Sequence, residues 1–202
     1  MASQTGADVV ATGSVRVLGI AGSLRAGSFN RALLHAAMEL APAGMEITEF
    51  TRIAEIPHYN ADLDGRAAPE PAVALRRAIA EADALLIATP EYNYSIPGVL
   101  KNAIDWASRP PATTPLRDKP TAIMGASTGM GGTMRAQYHL RQCFVLTRTP
   151  TVLQPEVLCA FAAQKFDADG RLHDEKTREL VRALLAALGV LVEQWRATPA
   201  AR

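Results

Sequence analysis

Short apolar runs alternate along the chain with longer stretches whose apolar positions recur every three or four residues. The first run, VRVLGI at 15–20, is rich in branched residues and stops at Ala-Gly-Ser, which predicts a buried strand. A helix should follow: after the loop GSLRAGSFN, Leu33, Leu34, Ala37, Met38 and Ala41 recur at helical spacing until Pro42 and Gly44 close the segment. The alternation continues with MEITEF as strand, PAVALRRAIAEA as helix, DALLIA as strand and PGVLKNAIDWAS as helix. Pro97 falls in the first turn of that helix, where its missing N–H is harmless. KPTAIMGAS then reads as a strand, TMRAQYHLRQCFVLT as a helix and TPTVLQPEV as a fifth strand, and an amphipathic helix over 175–195 ends the pattern.

Strand and helix alternating five times imply parallel strands joined by right-handed crossovers, with helices on both faces. The expectation is a doubly wound five-stranded α/β fold. Such sheets hold ligands outside the carboxyl ends of their strands, where the strand order reverses. The Pro-rich RPPATTPLRD is expected to be a surface connection, and no fixed-period repeat interrupts the pattern.

Composition narrows the partners. With 202 residues the chain suits one domain, expected over 14–196 between a disordered N-terminal tail (1–13) and a C-terminal tail (197–202). A net charge of +1 supplies no global field to attract nucleic acid or an anionic membrane, so any partner must be recognised locally. The first residues have no basic start, and no apolar stretch is long enough to span a bilayer, which leads to the expectation of a cytoplasmic protein. Cys143 and Cys159 sit in apolar stretches without metal-ligand or CxxC spacing, and buried free thiols are expected there. His35, His58, His139 and His173 are assigned to packing or solvation rather than chemistry.

The loops after the first, third and fourth strands should emerge at one edge of the sheet. In the first, Ser23, Ser28, Arg25 and Asn30 bring hydroxyls, a guanidinium and an amide together with Gly22 and Gly27, just before a helix whose positive end faces the same point. This reads as a cradle for one phosphate, since neither G-x-G-x-x-G nor G-K-[ST] is present. The competing reading is a plain Gly-Ser turn with an N-capping Ser or Asn. The third loop, TPEYNYS, joins flat side chains to exposed peptide groups, which suits a planar heterocycle; alternatively Tyr92 and Tyr94 pack against a neighbouring loop. In the fourth, Ser127, Thr128 and Gly129 are small enough for a ring to approach the backbone.

GSLRAGSFN, TPEYNYSIPGVLKNAIDW and HLRQ, in this order and spacing, resemble the NADPH-dependent FMN reductase family, above all its bacterial chromate and quinone reductase branch. The likeness runs from Val15 to Val157 and includes IPHYNADLD. It implies a flavodoxin-like fold with strand order 2-1-3-4-5, noncovalent FMN, and NADPH or NADH as donor. It also implies that Ser23, Arg25, Ser28 and Asn30 hold the phosphate, with the ring and ribityl chain along Pro90, Glu91, Tyr92 and Asn93 and with Ser127, Thr128 and Gly129 beside the ring. Arg135, Tyr138 and Glu156 match positions that form a network between subunits near the flavin, so a homotetramer or homodimer is expected; a solvated polar face is the alternative.

The expected activity is hydride transfer from NAD(P)H through FMN to a quinone, free flavin or chromate-like acceptor by a ping-pong route. A flavin supplies its own chemistry, so no catalytic side chain is assigned. A flavodoxin-type electron carrier is the second reading, against which Arg25 and the absence of a strongly acidic composition argue. A flavin-binding protein without turnover is the third.

Overall fold

The computed structural model describes residues 14–197, so the N-terminal tail and residues 198–202 of the C-terminal tail lie outside the described residues. β1 (Val15–Ala21), β2 (Met45–Glu49), β3 (Ala84–Ala88), β4 (Thr121–Ala126) and β5 (Val157–Cys159) form one sheet in the order β2-β1-β3-β4-β5. Every neighbouring pair is parallel. The expected order is the observed one.

Helices cover both faces of this sheet. α1 (Phe29–Glu39) and α5 (Glu175–Ala197) pack on one side, while α2 (Glu70–Glu81), α3 (Gly98–Ala107) and α4 (Met134–Cys143) pack on the other. The run ALLIA shows why a continuous apolar strand is needed at the centre: Ala84, Leu86 and Ala88 enter the first core, and Leu85 and Ile87 enter the second. Period-two alternation would have left one face polar.

Two elements differ from the sequence expectation. The fifth strand was expected over 149–157, but regular pairing begins only at Val157, beside Met124. The earlier part does run along β4, since the Thr121 N–H donates to the Pro150 carbonyl at 2.9 Å and the Val152 N–H donates to that of Thr121 at 2.9 Å. Pro155 has no N–H to continue the ladder, and the ladder resumes beyond it. The fourth helix was expected over 133–147 but ends at Cys143. The Thr149 N–H turns back to the Phe144 carbonyl, leaving Val145 and Leu146 at 75% and 77% exposure. Their apolar character fits the helical period without being buried by this chain.

The segment IPHYNADLD contains no strand; short 3₁₀ turns at Ile53–Glu55, Ala61–Leu63 and Gly65–Ala67 flank or occupy it. It is pinned to α3: Asn102 donates to the carbonyls of Ile56 and Pro57, Trp106 Nε1 donates to Pro57 at 2.8 Å, and the Tyr59 N–H donates back to Asn102. α3 is thereby fixed against the sheet edge from which the third loop departs.

Candidate functional site

The strand order reverses between β1 and β3, so the loops leaving their carboxyl ends diverge and open a crevice. The Gly22 N–H donates to the Ala88 carbonyl at 2.9 Å, tying the first loop to the end of β3. Beyond Gly22, the N–H groups of Ser23, Leu24, Ala26 and Gly27 have no acceptor among the described residues. Ser28 caps α1, its Oγ accepting from the Arg31 N–H at 3.3 Å. The bland capping role expected for a Ser in this loop is therefore present, and the open N–H groups stand beside it.

Arg25 has no acidic partner among the described residues; its guanidinium lies 5.8 Å from the centroid of the Phe29 ring. A cavity of about 170 Å³ is lined by Ser23, Arg25, Ser28 and Asn30 from the first loop and the start of α1, by Pro90, Glu91 and Tyr92 from the third, and by Ser127 and Thr128 from the fourth, with Phe29 and Ala126 completing it. An unpaired cation, unpartnered N–H groups and a helix N-terminus converge there, which is the arrangement that retains an anion. Phe29 and Ala126 were missed because neither residue type carries a polar signal.

Asn30 lines the cavity, but its amide is engaged within the chain. It is 4% exposed, its Nδ2 donates to the Ala126 carbonyl at 2.8 Å, and its Oδ1 accepts from the Ala126 N–H at 2.8 Å. Both ends of the amide are committed to the end of β4. Asn30 thus holds the start of α1 against the fourth-strand loop, and its side chain has little left to offer a ligand.

The third loop begins with Thr89, whose N–H donates to Met124, and then Pro90, which is buried. Tyr92 and Ser95 exchange both backbone hydrogen bonds, at 2.9 and 3.0 Å, around Asn93 and Tyr94, which have φ of 49° and 67°. This is a tight hairpin turn with two non-glycine residues in the left-handed region. Tyr92 leans back over the first loop, its hydroxyl 3.4 Å from Ser23 Oγ, and both tyrosines are largely exposed. His139 Nδ1 lies 3.0 Å from Ser95 Oγ on the far side.

Glu91 also lines the cavity, yet its carboxylate is engaged by the start of α4. Oε2 accepts from the N–H groups of Arg135 and Ala136 at 3.0 and 3.2 Å, and Oε1 accepts from Arg135 Nε at 2.6 Å. The fourth-strand turn supplies the remaining wall. The Ser127 N–H donates to Cys159, Ser127 Oγ accepts from Gly129, and Thr128 and Gly129 are exposed.

Of the three residues expected at a subunit boundary, Arg135 is engaged within the chain by Glu91 and stacks on Tyr94, 3.8 Å from the ring centroid. Tyr138 is exposed on α4, and Glu156 is partly exposed and makes no ion pair among the described residues. Arg141 was not singled out from HLRQ. It donates to Thr151 Oγ1 and the Val152 carbonyl; burial lowers its pKa, against the opposing charge of Glu156. Cys159 is buried and Cys143 only half-buried; burial raises both thiols, which keeps them protonated and unreactive.

Known proteins share this arrangement of elements. The sequence model of NADPH-dependent FMN reductase matches residues 15–164. An NAD(P)H-dependent FMN reductase of Pseudomonas aeruginosa is 53% identical over 182 residues, 90% of this chain and 97% of that protein. A quinone reductase of Escherichia coli is 40% identical over 182 residues, 89% of this chain and 96% of that one. Among solved structures, FerB, a flavoenzyme NAD(P)H:acceptor oxidoreductase from Paracoccus denitrificans, matches with a TM-score of 0.81 at 37% identity, covering 89% of this chain and 98% of its own.

Proposed function

Because the chain belongs to the NADPH-dependent FMN reductase family, with a flavodoxin-like sheet and an FMN- and NAD(P)H-dependent oxidoreductase activity, we propose that its physiological role is two-electron reduction of quinones in the cytoplasm. Free flavin and chromate-like anions are further acceptors in this reading. The observation that carries it is the unpaired Arg25 among open N–H groups, lining the same cavity as Tyr92 of the exposed tyrosine hairpin. The two features suit the two ends of one FMN molecule.

The residues fit that group. The Arg25 side chain with the N–H groups of Ser23, Leu24, Ala26 and Gly27 would hold the phosphate, and the backbone of Pro90 to Asn93 with the turn of Ser127 to Gly129 would border the ring. Bound there, FMN supplies the hydride chemistry that no side chain in the crevice offers. The protein's share is orientation: Tyr92 and Tyr94 limit access from one flank and the fourth-strand turn from another. Donor and acceptor must then use the same opening in turn.

Steady-state rates with NADPH varied at several fixed quinone concentrations should give parallel double-reciprocal lines. Intersecting lines would contradict a shared opening. The reading extends to a homodimer or homotetramer, supported by Met134, Tyr138, Val145, Leu146 and Leu153, exposed on α4 and the chain that follows it. Light scattering of the purified protein should report two or four chains, and a monomer would remove this part.

A further inference from the structure

We propose that Glu91 is a positioning residue that fixes the tyrosine hairpin against the N-terminus of α4, and that its carboxylate does not touch the cofactor. The inference rests on the reading of the crevice as an FMN site, and goes beyond it in assigning a role to a side chain that sequence counts among the contacts.

α4 begins without a cap of its own. Thr133 occupies the N-cap position with φ 74°, in the left-handed region, and its side chain makes no capping bond. Its Oγ1 instead accepts from Gln137 Nε2 at 3.2 Å. The first N–H groups of a helix need an acceptor, and at Arg135 and Ala136 that acceptor is Glu91 Oε2, from a different loop more than forty residues earlier. A carboxylate at this end also meets the positive pole of the helix. Glu91 is the cap that α4 lacks locally.

The arrangement has a second arm. Arg135 Nε donates to the other carboxylate oxygen and Nη2 forms a close ion pair with it, while the guanidinium lies 3.8 Å from the centroid of Tyr94. Tyr94 and Asn93 are the two left-handed residues of the hairpin, a conformation that costs energy for non-glycine residues and persists only where surrounding contacts enforce it. Carboxylate, guanidinium and ring therefore form one stack from the root of the loop to its tip. The Glu91 side chain is 10% exposed, so the carboxylate end of the stack is shielded, while Arg135 and Tyr94 reach toward solvent.

Direction separates this role from a contact role. Pro90, Glu91 and Tyr92 all line the cavity, but the Glu91 carboxylate is turned to the start of α4, where its acceptor positions are engaged. All of the Glu91 oxygen bonds found in the chain go to α4. Removing the carboxylate frees two helix N–H groups and the guanidinium at once, and the hairpin loses its anchor at Glu91 while keeping the Tyr92–Ser95 pairing and the Ser95–His139 contact.

The test titrates FMN into apoprotein carrying Glu91→Ala or Glu91→Gln, following flavin fluorescence, with the absorption band of the bound flavin and circular dichroism recorded alongside. The Ala variant should bind FMN about tenfold more weakly, the scale of a lost charge-assisted hydrogen bond, and show a shifted band. The Gln variant keeps an oxygen for the two N–H groups and should recover to within about threefold of the unaltered protein. A folded Ala variant with unchanged affinity and band would overturn the inference. So would a Gln variant as impaired as Ala, because the charge itself would then be required. If the Ala variant does not fold, the Gln variant decides alone. Failure of the unaltered protein to bind FMN is a separate result, and it would remove the proposed function as well.

Discussion

Gly125→Ala is expected to cost the protein about 3 kcal/mol of stability or more, the upper part of the range for overpacking a filled interior. A Cβ at Gly125 would lie 1.9 Å from Thr133 Oγ1 and 2.5 Å from the Thr89 carbonyl oxygen. Neither atom can retreat. Thr133 is 1% exposed, and the Thr89 carbonyl belongs to backbone whose N–H is bonded to Met124 in β4. Relief must come from moving β4 away from the root of the third loop or from lifting the start of α4, and both movements disturb the Glu91 stack. Urea unfolding should show a midpoint far below that of the unaltered protein, with the retained FMN reduced. A midpoint within experimental error of the unaltered protein would mean that these elements are not packed as described.

The second large effect concerns the cofactor alone. Arg25→Ala should weaken FMN binding by roughly 1.5–3 kcal/mol, the value of a hydrogen bond to a charged group. This corresponds to roughly 10- to 150-fold in dissociation constant. The fold should not suffer, because Arg25 is exposed and has no carboxylate that its loss would leave unpaired. Circular dichroism should therefore match the unaltered protein while the titration shifts, and the shift should shrink at high salt as the field of the guanidinium is screened. Unchanged affinity would place the phosphate away from this loop.

The central strands were legible because a strand covered on both faces must be almost wholly apolar: ALLIA is so throughout, and VRVLGI is broken only by Arg16, exposed near its start. The fifth strand was less so, since a run interrupted by Pro155 looks continuous to a pattern of apolar positions although its ladder is not. At the site, residue types were informative and their partners were not. Asn30 and Glu91 were recognised as polar residues in the right loops, yet their oxygens and nitrogens meet Ala126 and the start of α4, 96 and 44 positions away. No local spacing encodes such a contact. Arg141 escaped for the same reason: in sequence it is one basic residue in a polar helix, and only packing brings it near Glu156.

The proposed activity requires the chain to carry electrons from NAD(P)H to quinone through FMN. Under anaerobic conditions, the purified protein reconstituted with FMN should lose its oxidised-flavin absorption on addition of NADPH or NADH with no acceptor present. After removal of the nicotinamide, a quinone should restore the band in a single phase, one quinone reduced for each FMN. If NADPH and NADH both leave the band intact, or if quinone cannot restore it, the claim that this crevice supports flavin-dependent quinone reduction is contradicted.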